Sequence, residues 1–435
     1  TGTHVSDPYA RVNDDAFGKS RVWYKGQPAA PLANGIPAYE DVIAYEVHVQ
    51  DFTDLLPVDE SLKGTFPAMI QSGLKNDAGA PIGFDHLVEL GINTVHLMPV
   101  QEYLHYKDEE WQAAFKDNAF MKEQAINMEN YQWGYRITHA MAVENRFREK
   151  GTEHGTEREQ FRELVQAFHE KDMAVIVDYV FNHTGENMDG RHYNMNFNGI
   201  DKHYYYRLDG NGEHIGAFGN ETKSENRPMM QRWIIDQCKY FIEEFGVDGF
   251  RIDLAGQTDQ QTLIKLMDTI GRDKIVYGEP WIGSNDPEYE ANPDWDWYKI
   301  DSPITFFQDD SRNAFKGPPS NPTDKMKDRG YAGGKLDERQ LVDRGYVQLV
   351  GRAQDGEVDQ VHARVGLEKI TPGPRAVVGL AGDQKHAQPV AHAGHVDRRA
   401  VVDEGELLLA GFDLDLDGVG AAILQRGAHL HVLAD

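Results

Sequence analysis

The stretch Gly249-Phe250-Arg251-Ile252-Asp253, followed 26 residues later by Gly278-Glu279-Pro280-Trp281, confines the chain to few folds. In a strand, residues two apart share a face, so Arg251 and Asp253 project together while Phe250, Ile252 and Leu254 project to the other side. The segment from Lys274 to Glu279 reads as a second short buried strand. Between them, Leu263, Leu266, Met267 and Ile270 recur at helical spacing over Thr258 to Arg272. The unit is strand, helix, strand, with an acid at each strand's carboxyl end.

The same alternation runs through most of the chain. Strands are expected at Val42 to Val49, Thr94 to Val100, Met173 to Tyr179, Val247 to Leu254, Ile275 to Tyr277 and Ile304 to Phe307. Helices are expected at Phe84 to Leu90, Glu157 to Glu170, Met229 to Phe245 and Thr258 to Ile270. Such a pattern implies an α/β fold with parallel strands and helical crossovers, which a closed barrel or an open doubly wound sheet would satisfy. Polar residues at the carboxyl ends of several different strands favour the (β/α)8 TIM-type barrel, whose sites are built at that face. Residues 1–39 form a Pro- and Gly-rich lead-in, 40–335 the barrel, and about 101–135 an insertion over its mouth.

The last 96 residues, 340–435, differ in kind. They contain no Trp, Met, Cys, Asn or Ser, whereas the 339 residues before them carry 20 Asn and all seven Trp. This break sets the tail apart as a small β-rich domain around Ala376 to Leu380 and Val401 to Phe412, or as sequence translated out of its original frame. The barrel is therefore expected to be incomplete or altered after its sixth strand, followed by an irregular segment.

Charge and cysteine usage narrow the partners. A net charge of −27 disfavours nucleic acid and anionic membranes, because like charges repel and there is no basic stripe to release counterions. Neutral partners such as sugars fit better. No apolar run of about 18 residues is present, so a membrane span is not expected. The lone Cys238 sits in an amphipathic run with Trp233, Ile234, Phe241 and Phe245, and is expected to be a buried thiol. The chain opens at Thr1 with no charged-then-apolar leader, which favours a cytoplasmic over an exported protein, and a monomer is expected.

Paired carboxylates on adjacent parallel strands suit glycoside hydrolysis, in which an ionised group attacks the anomeric carbon and a protonated one donates to the leaving oxygen. Neighbouring strands lie about 4.8 Å apart, compatible with the roughly 5–5.5 Å separation of a retaining mechanism. Arg251 would keep Asp253 anionic as nucleophile. Glu279, beside Pro280 and Trp281, has the drier setting of a general acid. A salt bridge closing a barrel end, with an unrelated glutamate nearby, satisfies the same spacing. A third group, Asp178-Tyr179-Val180-Phe181-Asn182-His183, brings an acid, an amide and an imidazole to the end of another strand, where they could orient sugar hydroxyls or brace Arg251. Asp and Asn oxygens also suit Ca²⁺, although this spacing alone says little about a metal.

With these residues in view the chain resembles the α-amylase superfamily, glycoside hydrolase family 13, and within it the pullulanase-like debranching enzymes. The motifs, in order, are Tyr45 to Phe52, Asn93 to Val100, Asp178 to His183, Gly249 to Asp253 and Gly278 to Trp281. The subgroup rests on Tyr131-Gln132-Trp133-Gly134-Tyr135 and on Phe306 to Arg312. The resemblance implies Asp253 as nucleophile, Glu279 as general acid and base, and Arg251 as the partner holding the nucleophile. It further implies His183 as a hydrogen-bond donor to the sugar, Tyr135 as the ring beneath it, and Asp178 and Asn182 as supports; Trp281 is assigned to substrate binding. No cofactor is required, and a structural Ca²⁺ is compatible. The implied reaction is retaining hydrolysis of α-1,6 branch links in pullulan, glycogen or starch-type α-glucans. Alternatives are α-1,4 cleavage by an amylase-like enzyme and a catalytically impaired glucan-binding homologue. Two departures stand out: Arg136 follows Tyr135 where the family signature carries Asp, and no His-Asp pair of the kind expected at strand seven follows Asp310.

Overall fold

The computed structural model describes residues 5–105, 113, 116–117, 132–187, 196–216, 218–281, 295–308, 312–313 and the strand residues of the tail, 376–379, 399–403, 406–410 and 430–432. The chain enters β1 (Ile43–Val47), then the short helices α1 (Val49–Thr53), α2 (Phe66–Met69) and α3 (Phe84–Leu90), and β2 (Thr94–Leu97). A hairpin of β3 (Gln101–Tyr103) and β4 (Ile137–Val143) precedes α4 (Thr156–His169) and β5 (Ala174–Val180). Then follow α5 (Phe197–Tyr205), α6 (Pro228–Phe245), β6 (Gly249–Asp253), α7 (Gln260–Ile270), β7 (Ile275–Gly278), α8 (Trp295–Ile300) and β8 (Thr305–Phe306). The tail contributes β9 (Ala376–Gly379), β10 (Arg399–Asp403), β11 (Glu406–Ala410) and β12 (Leu430–Val432).

Six strands form one parallel sheet in the order β1-β2-β5-β6-β7-β8, and β12 pairs antiparallel with the outer edge of β1. This is a half-barrel, α/β throughout, as an incomplete TIM-type barrel requires. Strands β9 to β11 form a separate antiparallel sheet within the compositionally distinct tail. Among the described residues no helix is long and apolar enough to cross a membrane.

The sheet is buried on both faces, and its period of two sorts every strand into an inner and an outer row. Val175, Val177, Tyr179, Phe250, Ile252 and Val276 belong to the larger core with Phe161, Phe241 and Phe245 of the covering helices. Ala44, Ala174, Ile176, Ile275 and Tyr277 form a second cluster on the opposite face. Each fully buried side chain of this size contributes about 1.5–3 kcal/mol over leaving it in water. The rings interlock edge to face, as Tyr179 does on Phe250 at 4.9 Å and 87°. Cys238 is buried in the outer core, and burial pushes its thiol well above the usual range.

Three local expectations require correction. The run starting at Val42 does not continue as strand to Val49: His48 turns the chain into α1, its Nδ1 accepting from the Asp51 amide. The region after β2 is not loop up to Tyr135, because Gln101–Tyr103 pairs with Ile137–Val143, whose seven residues are all buried. Leu254 does not extend β6; it adopts φ 42° and ψ 52°, a left-handed conformation uncommon for a residue with a Cβ.

Candidate active site

The inner row of each strand carries the site. Continuing the sequence Ala174, Ile176 places Asp178 on the inner face of β5; Ile275 and Tyr277 lead to Glu279 beyond β7; Arg251 and Asp253 occupy the matching row of β6. The parallel register sets Asp178 beside Arg251 and Arg251 beside Tyr277. Small apolar side chains fill the inner row near the amino ends, and polar ones take over toward the carboxyl ends, which is how a packed barrel core opens into an active site.

Arg251 is the hub. Its Nη1 lies 2.9 and 3.0 Å from the two Asp178 carboxylate oxygens and 2.9 Å from Asp253 Oδ1, and its Nη2 lies 2.6 Å from Glu279 Oε1. Three carboxylates thus converge on one guanidinium that is only 6% exposed. Burial opposes its charge, but Asp178, Asp253 and the groups beside them hold it well above its ordinary pKa. Asn182 donates from Nδ2 to the Asp253 carbonyl at 3.0 Å and to Asp253 Oδ2 at 2.8 Å, so both carboxylate oxygens of Asp253 are held. The Tyr135 hydroxyl donates to Asp178 Oδ2 at 2.7 Å.

Glu279 differs from Asp253. Burial, offset by Arg251 and reinforced by Asp253, raises its pKa to about 7. Its Oε2 accepts from the Leu254 amide at 3.0 Å, and its own amide donates to the Ile252 carbonyl. The close approach of these backbones depends on Gly278, where a Cβ would lie 2.5 Å from that of Ala255. Gly134 meets a similar constraint. At φ 90°, with Pro99 Cβ 2.7 Å from where its own Cβ would be, it delivers Tyr135 to Asp178.

His183 meets acceptors at both nitrogens. Asp253 fixes the Asn182 amide so that its Oδ1 faces His183 Nδ1, and the Tyr135 carbonyl lies 2.8 Å from Nε2. Burial lowers the imidazole pKa against the opposing pull of Asp253 and the Tyr135 carbonyl, so the ring donates through one nitrogen at a time. Trp281 stands at the rim, 37% exposed and parallel to Phe307 within 20°. All eight residues assigned from sequence, Asp253, Glu279, Arg251, His183, Tyr135, Asp178, Asn182 and Trp281, therefore lie at the carboxyl ends of β5, β6 and β7 or on the segment leading into β4.

Glu46, His96 and Tyr277 complete the lower layer, although their sequence context assigns them no role. The Tyr277 hydroxyl pairs with His96 Nδ1 at 2.9 Å, and His96 Nε2 lies 3.7 Å from Asp178 Oδ2. Glu46, His96 and Asp178 bring ligand atoms within 4.8 Å of one another. A single polar residue in the inner row of an otherwise apolar strand, as at Glu46 and His96, is the signal that marks them. The Asp178 oxygens are held by Arg251 and Tyr135, and Asn182 Oδ1 faces His183.

The chain is similar to catalytic domains of the α-amylase family. Residues 79–226 match the family model "Alpha amylase, catalytic domain", a span that includes Tyr135, Asp178, Asn182 and His183 and ends before β6. Among curated relatives, the chain is 27% identical to pullulanase of Bacillus subtilis over 323 residues, 73% of this chain and 41% of that protein. It is 30% identical to isoamylase 3, chloroplastic, of Oryza sativa over 297 residues, 64% and 35% respectively, and 27% identical to pullulanase A of Streptococcus pneumoniae over 286 residues, 64% and 20%. Pullulanase type I from Bacillus subtilis complexed with maltose superposes with a TM-score of 0.66 at 26% identity, covering 82% of this chain and 47% of that one. Pullulanase from an Anoxybacillus species complexed with maltotriose gives 0.65 at 26%, covering 79% and 47%. The chain is similar to these pullulanase and isoamylase relatives and spans less than half the length of each.

Proposed function

We propose that the chain hydrolyses α-1,6 branch links in α-glucans with retention of configuration. The observation that carries this reading is the convergence of Asp253 and Glu279, from adjacent parallel strands, on the one guanidinium of Arg251. Asp253, paired with that cation and with the Asn182 amide, is suited to attack the anomeric carbon as an anion. Glu279, whose pKa is raised to about 7, is suited to give its proton to the departing glycosidic oxygen. The ester on Asp253 is then opened by a water that loses its proton to Glu279, which restores both groups. Because Arg251 and the Leu254 amide occupy both Glu279 oxygens, proton delivery exchanges one of these contacts for the substrate oxygen. The names of the relatives, pullulanase and isoamylase, support the α-1,6 linkage, and the maltose and maltotriose in the related structures support α-glucan as the ligand.

Product analysis on pullulan, with Asp253→Asn as the blank, tests the reading. Maltotriose released only by the unmutated chain is the expected result; panose or isopanose would transfer the assignment to α-1,4 cleavage. A second reading, a protein that holds glucan without cutting it, is favoured by the missing His-Asp pair after Asp310. Absence of product together with retardation of the chain in a pullulan-containing native gel would select it.

A further inference from the structure

Phe218 takes part in none of the chemistry above, yet its ring lies on that of His183, with centroids 5.1 Å apart and planes 34° from parallel. His183 is 3% exposed and Phe218 42%. With both imidazole nitrogens directed at Asn182 and Tyr135, His183 offers little surface of its own, and the ring lying on it is exposed. His183 follows β5 by three residues and Trp281 follows β7 by three, with Asp253 ending β6 between them. Phe218, resting on His183, and Trp281 therefore stand on opposite sides of the nucleophile.

We infer that Phe218 is a specificity-determining stacking platform for a glucosyl unit on the side of the cleft whose sugar stays attached to Asp253. This rests on the α-glucan reading of the site. Glu279, the proton donor, ends β7 on the Trp281 side, so the leaving portion departs there and the retained portion extends toward β5. The apolar C–H face of a pyranose laid on an exposed ring removes both from water, without a hydrogen bond that the engaged His183 would have to provide. The phenyl ring thus replaces a polar contact by a flat one, which tolerates rotation of the sugar about the stacking axis and selects for a glucosyl face over its substituents.

The test is affinity electrophoresis of the full chain in gels containing pullulan, comparing the unmutated protein with Phe218→Ala and Phe218→Trp. Phe218→Ala is expected to bind roughly three- to tenfold more weakly, and Phe218→Trp to retain affinity, with urea midpoints of all three within error because the ring is half exposed. Retardation of Phe218→Ala equal to that of the unmutated chain overturns the platform while leaving the α-glucan reading intact. Equal loss in Phe218→Ala and Phe218→Trp overturns it in favour of a purely local packing role. No retardation of the unmutated chain overturns both the platform and the reading beneath it.

Discussion

Asp248, just before β6, and Asp253, at its end, are both buried acids next to a basic group, but their surroundings differ. At the amino end, Asp248 Oδ2 accepts from the Val175 amide at 2.8 Å and from His169 Nε2 at 2.8 Å, while His169 Nδ1 lies 2.6 Å from the Ala30 carbonyl. One carboxylate meets one imidazole, and the lead-in segment is pinned to the barrel. At the carboxyl end, three carboxylates share one guanidinium. The first arrangement is balanced and closes on itself; the second is overstocked with acid, and repulsion together with burial keeps one of its members, Glu279, near neutrality in its titration. A balanced buried pair serves the fold, whereas an unbalanced one provides groups with different protonation states side by side.

The comparison is most directly broken by removing the acids themselves. Asp253→Asn and Glu279→Gln are each expected to lower turnover of pullulan by about 10²–10⁴ or more, with circular dichroism unchanged; wild-type rates in either variant would remove the roles assigned here. Next in size, Arg251→Leu leaves three carboxylates without their cation and is expected to cost about 3–5 kcal/mol in urea unfolding at pH 7. Because the remaining acids repel less once protonated, part of that loss should return at pH 5.

At the opposite end, Asp248→Asn is expected to cost about 1–3 kcal/mol and to leave kcat unchanged, the outcome that separates a structural from a reactive pair. Burial disfavours the His169 cation, but its hydrogen bond to Asp248, the charge of Asp248 and the Ala30 carbonyl outweigh this and raise its pKa above 6.5. The stabilisation is therefore complete below pH 6.5 and lost as pH rises through the higher folded value. Unfolding midpoints measured from pH 6 to 9 should show this decline in the unmutated chain and not in Asp248→Asn. The smallest effect is the pH profile of kcat/KM, which should fall about tenfold per unit above pH 7 as Glu279 loses its proton; a profile flat to pH 9 would contradict Glu279 as the acid.

Much of this architecture can be read from the sequence because the parallel strands are buried on both faces and therefore appear as continuous apolar runs, as at Ala174 to Val177. Arg251 and Asp253 are legible by period two alone. The β3–β4 hairpin is not: Gln101–Tyr103 follows directly on the second apolar run, and its partner, Ile137–Val143, lies 36 residues from Gln101 along the chain, so only tertiary pairing reveals it. Glu46 and His96 show in the sequence only as polar residues in apolar strands, and their grouping with Tyr277 and Asp178 is hidden because those partners lie on other strands. Phe218 carries no local pattern at all, and its meaning comes entirely from the histidine beneath it. The left-handed turn at Leu254 is hidden for a related reason, since leucine at such a position runs against the usual preference for glycine.

That turn has a consequence for how the two acids are held. Leu254 is bonded to Asp253, and its amide holds Glu279. The amide of the residue that follows one acid is thus a hydrogen-bond donor to the other, so the main chain at Leu254 ties the positions of the two acids together. In the proposed reaction, a change of backbone at Leu254 would therefore reach both acids at once, whereas a change in a surface loop would leave this link between them in place.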